Sequence, residues 1–123
     1  VDPYNGKCVR ASAGSLFHLD LVCADDPGAA VNRIRAAGLT VYAADARGAA
    51  DLDRVPLDRP TAWLFGSEAH GLPASLADLA DARVRVPMHG RAESLNLAAA
   101  AAVCLYASAT AQRPREALDE APV

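Results

Sequence analysis

The chain has 123 residues, 12 Lys and Arg against 15 Asp and Glu, a formal net charge of -3, and 52% hydrophobic but only 5% aromatic residues. That is one ordinary domain whose core alanine and leucine must fill, with no run of about eighteen apolar residues to span a membrane and no basic excess of the kind that nucleic-acid binders use to replace phosphate counterions. Cys8, Cys23 and Cys104 are scattered, odd in number and never in C-x-x-C spacing, which argues against a disulfide framework or a zinc site and leaves a soluble cytoplasmic protein with reduced thiols as the expectation.

After the turn signals Asp2-Pro3 and Asn5-Gly6, Lys7 to Phe17 reads as a short helix, and the apolar run Leu19 to Ala24 reads as a buried strand. Asp26 as N-cap and Pro27 at the first helical position open a second helix. Its Ala30, Val31, Ile34 and Ala37 share one face, Asn32, Arg33 and Arg35 point outward, and Gly38 closes it. Leu39 to Ala44 is a strand, Arg47 to Pro60 a polar loop, and Thr61 to Phe65 another strand. A short helix around Leu76, Leu79 and Ala80, capped by Ser75, precedes a strand over 82–86, in which Ala82, Val84 and Val86 face one way. Arg83 and Arg85 face the other way, as on a solvated strand face. Ser94 to Ala109 is a helix with Leu97, Ala101, Cys104, Leu105 and Ser108 near one face, and a flexible polar tail occupies 111–123. Strands alternating with helices indicate an α/β fold, a parallel sheet covered on both sides as an α/β/α sandwich.

Two glycine-punctuated loops stand at strand ends, Gly66-Ser67-Glu68-Ala69-His70-Gly71-Leu72-Pro73 and Pro87-Met88-His89-Gly90-Arg91-Ala92-Glu93-Ser94-Leu95-Asn96. Gly66 and Gly71 leave room for a ligand against the main chain, although such spacing also serves a plain tight turn. The first loop is neither the dinucleotide fingerprint nor a phosphate loop, since it lacks the extra glycine and the lysine. In the second, Ser94 and Asn96 stand where a helix begins, with hydroxyl, amide and unpaired N–H donors together. Ser94 also suits an N-cap. His18, His70 and His89 have no i, i+4 pairing, so no metal is expected.

The stretches Trp63-Leu64-Phe65-Gly66-Ser67-Glu68-Ala69-His70-Gly71-Leu72 and Val86-Pro87-Met88-His89-Gly90-Arg91-Ala92-Glu93-Ser94-Leu95-Asn96-Leu97 resemble the second and third motifs of the SpoU (TrmH-like) RNA ribose 2'-O-methyltransferases of the SPOUT superfamily. The segment from Val9 to His18 resembles the one that precedes that family's middle strand. The likeness covers roughly residues 2 to 108, so that 1–110 reads as a SPOUT methyltransferase domain. The family's first motif, an asparagine-to-arginine segment carrying the catalytic arginine, belongs upstream of Val1. The opening Val1-Asp2-Pro3-Tyr4 reads like the interior of a longer protein, leaving open whether this chain is active by itself.

The resemblance implies a C-terminal trefoil knot, with the segment after Val86 threaded through a loop, a homodimer across the last helix, and RNA (rRNA or tRNA) as partner. It implies S-adenosylmethionine as cofactor, methylating a ribose 2'-hydroxyl. By matching position, Leu64, Gly66, Gly71, Val86, Met88 and Leu95 hold the cofactor, Glu68, Ser94 and Asn96 position the reacting groups, and Arg10 contacts RNA phosphate. Leu97, Leu105 and Tyr106 are the dimer candidates, with burial inside the subunit as the alternative. Against the enzyme stands a non-catalytic knotted module that dimerises or binds an adenosine-type ligand.

Overall fold

The computed structural model describes residue 6 and residues 19–67, 69–86 and 96–114. The helix expected over 7–17 and residues 87–95, where the expected knot would thread, lie outside the described residues. Among the described residues seven elements follow in chain order: α1 (Pro27–Ala36), β1 (Thr40–Ala44), β2 (Ala50–Asp51), β3 (Thr61–Leu64), α2 (Ala74–Ala77), β4 (Ala82–Arg85) and α3 (Leu97–Gln112). All described strand pairs are parallel, in the order β2-β4-β1-β3. Parallel neighbours need long crossovers, which here carry the helices.

Strand β1 is central and bonded on both sides. Ala43 pairs with Leu64 of β3 and with Arg83 of β4, so these two residues stand level across it. Its Val41, Tyr42 and Ala43 are all buried, as expected for a strand covered on both faces. One face is the main core: Tyr42, Leu52, Leu57, Val84 and Cys104 form a buried cluster, with Trp63, Phe65 and Val86 packed against it. Tyr42 and Trp63 meet across the β1–β3 pair in a tilted contact, with ring centroids 5.3 Å apart. Alternation puts Val41 and Ala43 on the opposite face, where α1 lies against β1 and α2.

Helix α1 begins and ends as its sequence requires. The Asp26 carboxylate accepts the Ala29 N–H at 3.2 Å, Pro27 fills the first position, and Gly38 at φ +95° turns the chain into β1. Val31 is the helix's buried residue, with Ala30 and Ile34 half-buried and Ala37 exposed. The Asp81 carboxylate ties α1 to the sheet, accepting the Val41 N–H at 2.8 Å and the Arg35 guanidinium at 3.1 Å.

Helix α3 runs antiparallel to β3. The Trp63 indole N–H donates to the Ser108 hydroxyl at 2.8 Å, Ser108 donates to the Cys104 carbonyl at 3.0 Å, and one turn further on Gln112 donates to the Arg59 carbonyl just before β3. Cys104 and Ser108 are buried as the sequence pattern predicts, but Leu105 is 56% exposed and Tyr106 71%. An alanine-rich helix is apolar all round, so its sequence pattern cannot say which side meets the sheet.

Three expectations are corrected. Residues 19–24 form no strand and are exposed, with Leu19 at 67% and Val22 at 88%, because a strand needs a neighbour's backbone and none of the described strands pairs with this run. The stretch 47–60 is not all loop: Ala50 and Asp51 add a two-residue strand to the β4 edge, held by the Leu52 N–H on the Arg85 carbonyl and by Arg85 on Asp51. Helix α2 has Pro73 at its N-cap and no side-chain cap hydrogen bond, so Ser75 does not cap it.

Burial raises the Cys104 thiol above its ordinary value, while Cys23 is exposed. At about pH 8.5, where a free thiol is half ionised, iodoacetamide should label Cys23 and leave Cys104 untouched until denaturant is added; equal labelling of the native chain, read by peptide mass, would contradict this core. Val84→Ala should cost about 2–3 kcal/mol in urea unfolding, from two lost methyls and the cavity they leave.

Candidate functional site at the carboxyl edge of the sheet

In a parallel sheet, ligands bind beyond the carboxyl ends of the strands, where main-chain groups of successive loops converge. Leu64 and Arg83, both level with Ala43, are about 10 Å apart at two strand spacings. The loop after β3 and the residues after β4 therefore leave the same edge side by side. Asp45, at the end of β1, lies between them, its N–H bonded to the Val84 carbonyl at 2.9 Å.

The start of α3 reaches that edge as well. Ser108 is level with Trp63, and the eleven residues from Ser108 back to Leu97 rise about 16 Å. The three residues from Trp63 to Gly66 advance about 10 Å in the same direction. Antiparallel packing of α3 on β3 thus carries Asn96 and the first turn of the helix to the end of the sheet where Gly66 and Val86 stand.

The loop after β3 is closed by its own hydrogen bonds. The Gly71 N–H donates to the Ser67 carbonyl at 2.8 Å, and the His70 N–H donates to the Ser67 hydroxyl at 3.0 Å. Gly71 has φ +67°, where other residues are strained. At Gly66 a Cβ would lie 2.0 Å from the Gly71 carbonyl carbon and 2.0 Å from the Leu72 nitrogen. The space that Gly66 leaves on that side is filled by its own chain: the glycine lets the loop fold back on itself. On that side, the lack of a side chain at Gly66 serves the folding of the loop.

Asn96 is the N-cap of α3. Its Oδ1 accepts the Ala99 N–H at 2.8 Å and its carbonyl accepts the Ala100 N–H at 2.9 Å. The N-cap that the sequence offers to Ser94 is thus supplied by Asn96, whose acceptor oxygen the helix uses. Among the described site candidates, Leu64, Gly66 and Val86 are half-buried and Gly71 and Asn96 are exposed. Glu68, Met88, Ser94, Leu95 and Arg10 lie outside the described residues.

Sequence reasoning missed the charge pattern beneath this edge. Arg83 and Arg85, expected on a solvated face, are both ion-paired: Arg83 with Asp45 and Asp78, and Arg85 with Asp51. No periodicity could show this, since the partners are far apart in the chain. A groove of about 560 Å³ lies along α3, lined by Leu52, Val55, Leu57, Val86, Val103 and Ala107 among others; of the described cofactor candidates it includes Val86 alone. Among the described residues there is no group of three or more His, Cys, Asp or Glu that could hold a metal, and no helix long and apolar enough to cross a membrane.

Fold and site define a parallel-sheet α/β protein with a closed glycine loop and a helix start on one carboxyl edge. A model of the SpoU rRNA Methylase family matches residues 1–106, and the chain belongs to that family. It is 36% identical over 105 residues to a 23S rRNA (guanosine(2553)-2'-O)-methyltransferase of Bacillus subtilis, covering 85% of this chain and 42% of that protein. It is 42% identical over 86 residues to a tRNA (guanosine(18)-2'-O)-methyltransferase of Thermus thermophilus, covering 69% and 44%. The SpoU methyltransferase AviRb from Streptomyces viridochromogenes, solved in complex with AdoMet, superposes with a TM-score of 0.79 at 38% identity, over 89% of this chain and 43% of that one. The chain therefore spans about two fifths of the length of these relatives.

Gly66→Ala should lower stability by about 1–3 kcal/mol through overpacking against 71–72, and Asn96→Ala by about 1 kcal/mol through loss of the cap. Chemical denaturation checks both. A neutral Gly66→Ala would mean that the loop does not fold back as described.

Proposed function

We propose that this chain forms the cofactor-binding part of an S-adenosylmethionine-dependent methyltransferase acting on the ribose 2'-hydroxyl of rRNA or tRNA. The observation that carries the reading is the convergence of three features on one edge: the closed loop after β3, the end of β4 and the first turn of α3. Relatives that match over most of the chain carry this activity on ribosomal or transfer RNA, and AviRb was solved with the same cofactor.

The residues at the edge fit such a ligand. Leu64 and Val86, half-buried at the ends of β3 and β4, offer apolar walls, and Met88 and Leu95 are proposed as further ones. Main-chain groups of Gly66, Gly71, Val86 and Leu95 serve the adenosine, for which a loop with fixed backbone is well suited. The first-turn amides of α3 carry partial positive charge, which suits the carboxylate of a methionine moiety and not a sulfonium. With its Oδ1 held in the cap, Asn96 has its Nδ2 hydrogens to offer.

S-adenosylmethionine supplies an activated methyl and its own leaving group. What remains for the protein is to place the ribose oxygen in line, a contribution of up to about 7–11 kcal/mol to the barrier. Glu68, Ser94 and Asn96 are proposed for that placement, and Arg10 for an RNA phosphate, which a guanidinium fork suits. The base is assigned to an arginine upstream of Val1. A knot formed by the segment after Val86, a cytoplasmic location and a homodimer complete the reading; the exposed Leu105 and Tyr106 on α3 support the homodimer.

Titration calorimetry of the chain with S-adenosylmethionine is the direct test of the cofactor site. Leu95→Asp should weaken binding by about 100-fold or more, since an unpaired carboxylate would replace an apolar wall; unchanged affinity would remove Leu95 from the pocket. Incubation of the full-length parent with rRNA or tRNA and the cofactor should yield a 2'-O-methylated nucleoside after nuclease digestion. Cofactor binding without that product would favour the non-catalytic module.

A further inference from the structure

We propose that Arg83 is a positioning residue of the cofactor site, clasping the loop after β1 to the end of α2 so that the carboxyl edge is held in its binding shape. The inference rests on the cofactor reading above. Among the described residues, Arg83 is the one cation whose guanidinium reaches two acids on different elements: Asp45, at the end of β1, 3.5 Å from Nη1, and Asp78, at the end of α2, on Nη2. The other paired arginines each hold one carboxylate, Arg85 that of Asp51 and Arg35 that of Asp81.

The Asp45 end of the clasp belongs to a loop at the carboxyl edge. Asp45 organises 45–48: its Oδ1 accepts the Arg47 N–H at 2.8 Å and its carbonyl accepts the Gly48 N–H at 2.9 Å. That loop is seated on β4 at Arg83 itself, where a Cβ on Gly48 would come within 2.6 Å of the Arg83 carbonyl oxygen. Asp78 follows α2, the helix that the closed glycine loop leads into. Arg83 thus links the loop after β1, at the edge where the cofactor is placed, to the end of the helix that the glycine loop leads into. The planar fork is the chemistry this needs, since two nitrogens of one rigid group can hold two separate carboxylates.

The exposure of the pair assigns the effect to shape, not to global stability. The Arg83 side chain is 40% exposed and that of Asp78 69%, so water screens the attraction and the fold gains little. Holding loops in the bound arrangement instead lowers the ordering cost of binding.

The experiment compares wild type, Arg83→Met, Arg83→Lys and Arg35→Met, the last removing an equally exposed pair at the opposite, amino edge. Amide hydrogen exchange is measured without ligand, S-adenosylmethionine affinity by calorimetry, and unfolding by heat. Arg83→Met should speed exchange at Arg47 and Gly48 and weaken cofactor binding about tenfold, with a melting temperature matching that of Arg35→Met. Arg83→Lys should recover part of the affinity, and Arg35→Met should bind as wild type does. Normal affinity in Arg83→Met, or a loss matched by Arg35→Met, overturns the clasp while the cofactor reading stands. Failure of the wild-type chain to bind S-adenosylmethionine overturns both.

Discussion

The double hydrogen bonding of β1 is the constraint on which the rest depends. With Ala43 in register with both Leu64 and Arg83, the ends of β3 and β4 are compelled to one level, and whatever follows them in sequence emerges at one edge. Burial of Val41, Tyr42 and Ala43 pins that register, because a slip by one residue would turn Tyr42 out of the cluster that holds Val84 and Cys104. The aromatic contact of Tyr42 with Trp63, and the Tyr42 hydroxyl on the Pro56 carbonyl at 2.8 Å, add to the same choice.

From that register the direction of α3 acquires its meaning. Two side-chain bonds, Trp63 to Ser108 and Gln112 to the Arg59 carbonyl, set the helix antiparallel to β3, so its positive end meets the edge where the loops converge. Because Trp63 donates to a buried hydroxyl that is itself bonded onward to Cys104, the orientation is secured by a polar chain with every donor used. A reversed helix would leave the indole N–H without that partner.

An acidic chain in a family that works on RNA also gains an explanation from charge placement. Arg35, Arg83 and Arg85 are spent internally on Asp81, Asp45, Asp78 and Asp51. These pairs tie the strands to the elements beside them. The overall net charge of -3 therefore describes solubility more than it describes the edge.

How much could be read from the sequence depended on whether the signal was local. The cap of α1 by Asp26, the turn at Gly38, the strands over 40–44, 61–64 and 82–85 and the long last helix rest on neighbouring residues, and were legible. The glycine loop and its family were legible too, since Gly66, Glu68 and Gly71 stand close together in the chain. Strand β2 was not, because two residues carry no alternation to read, and 19–24 looked like a strand because apolar content cannot supply the neighbour that a strand must bond. Only tertiary structure decided that Gly66 makes room for Leu72, that Asn96 caps α3, and that Arg83 joins Asp45 to Asp78. Each of these depends on which groups approach through space, and a linear pattern holds no record of that.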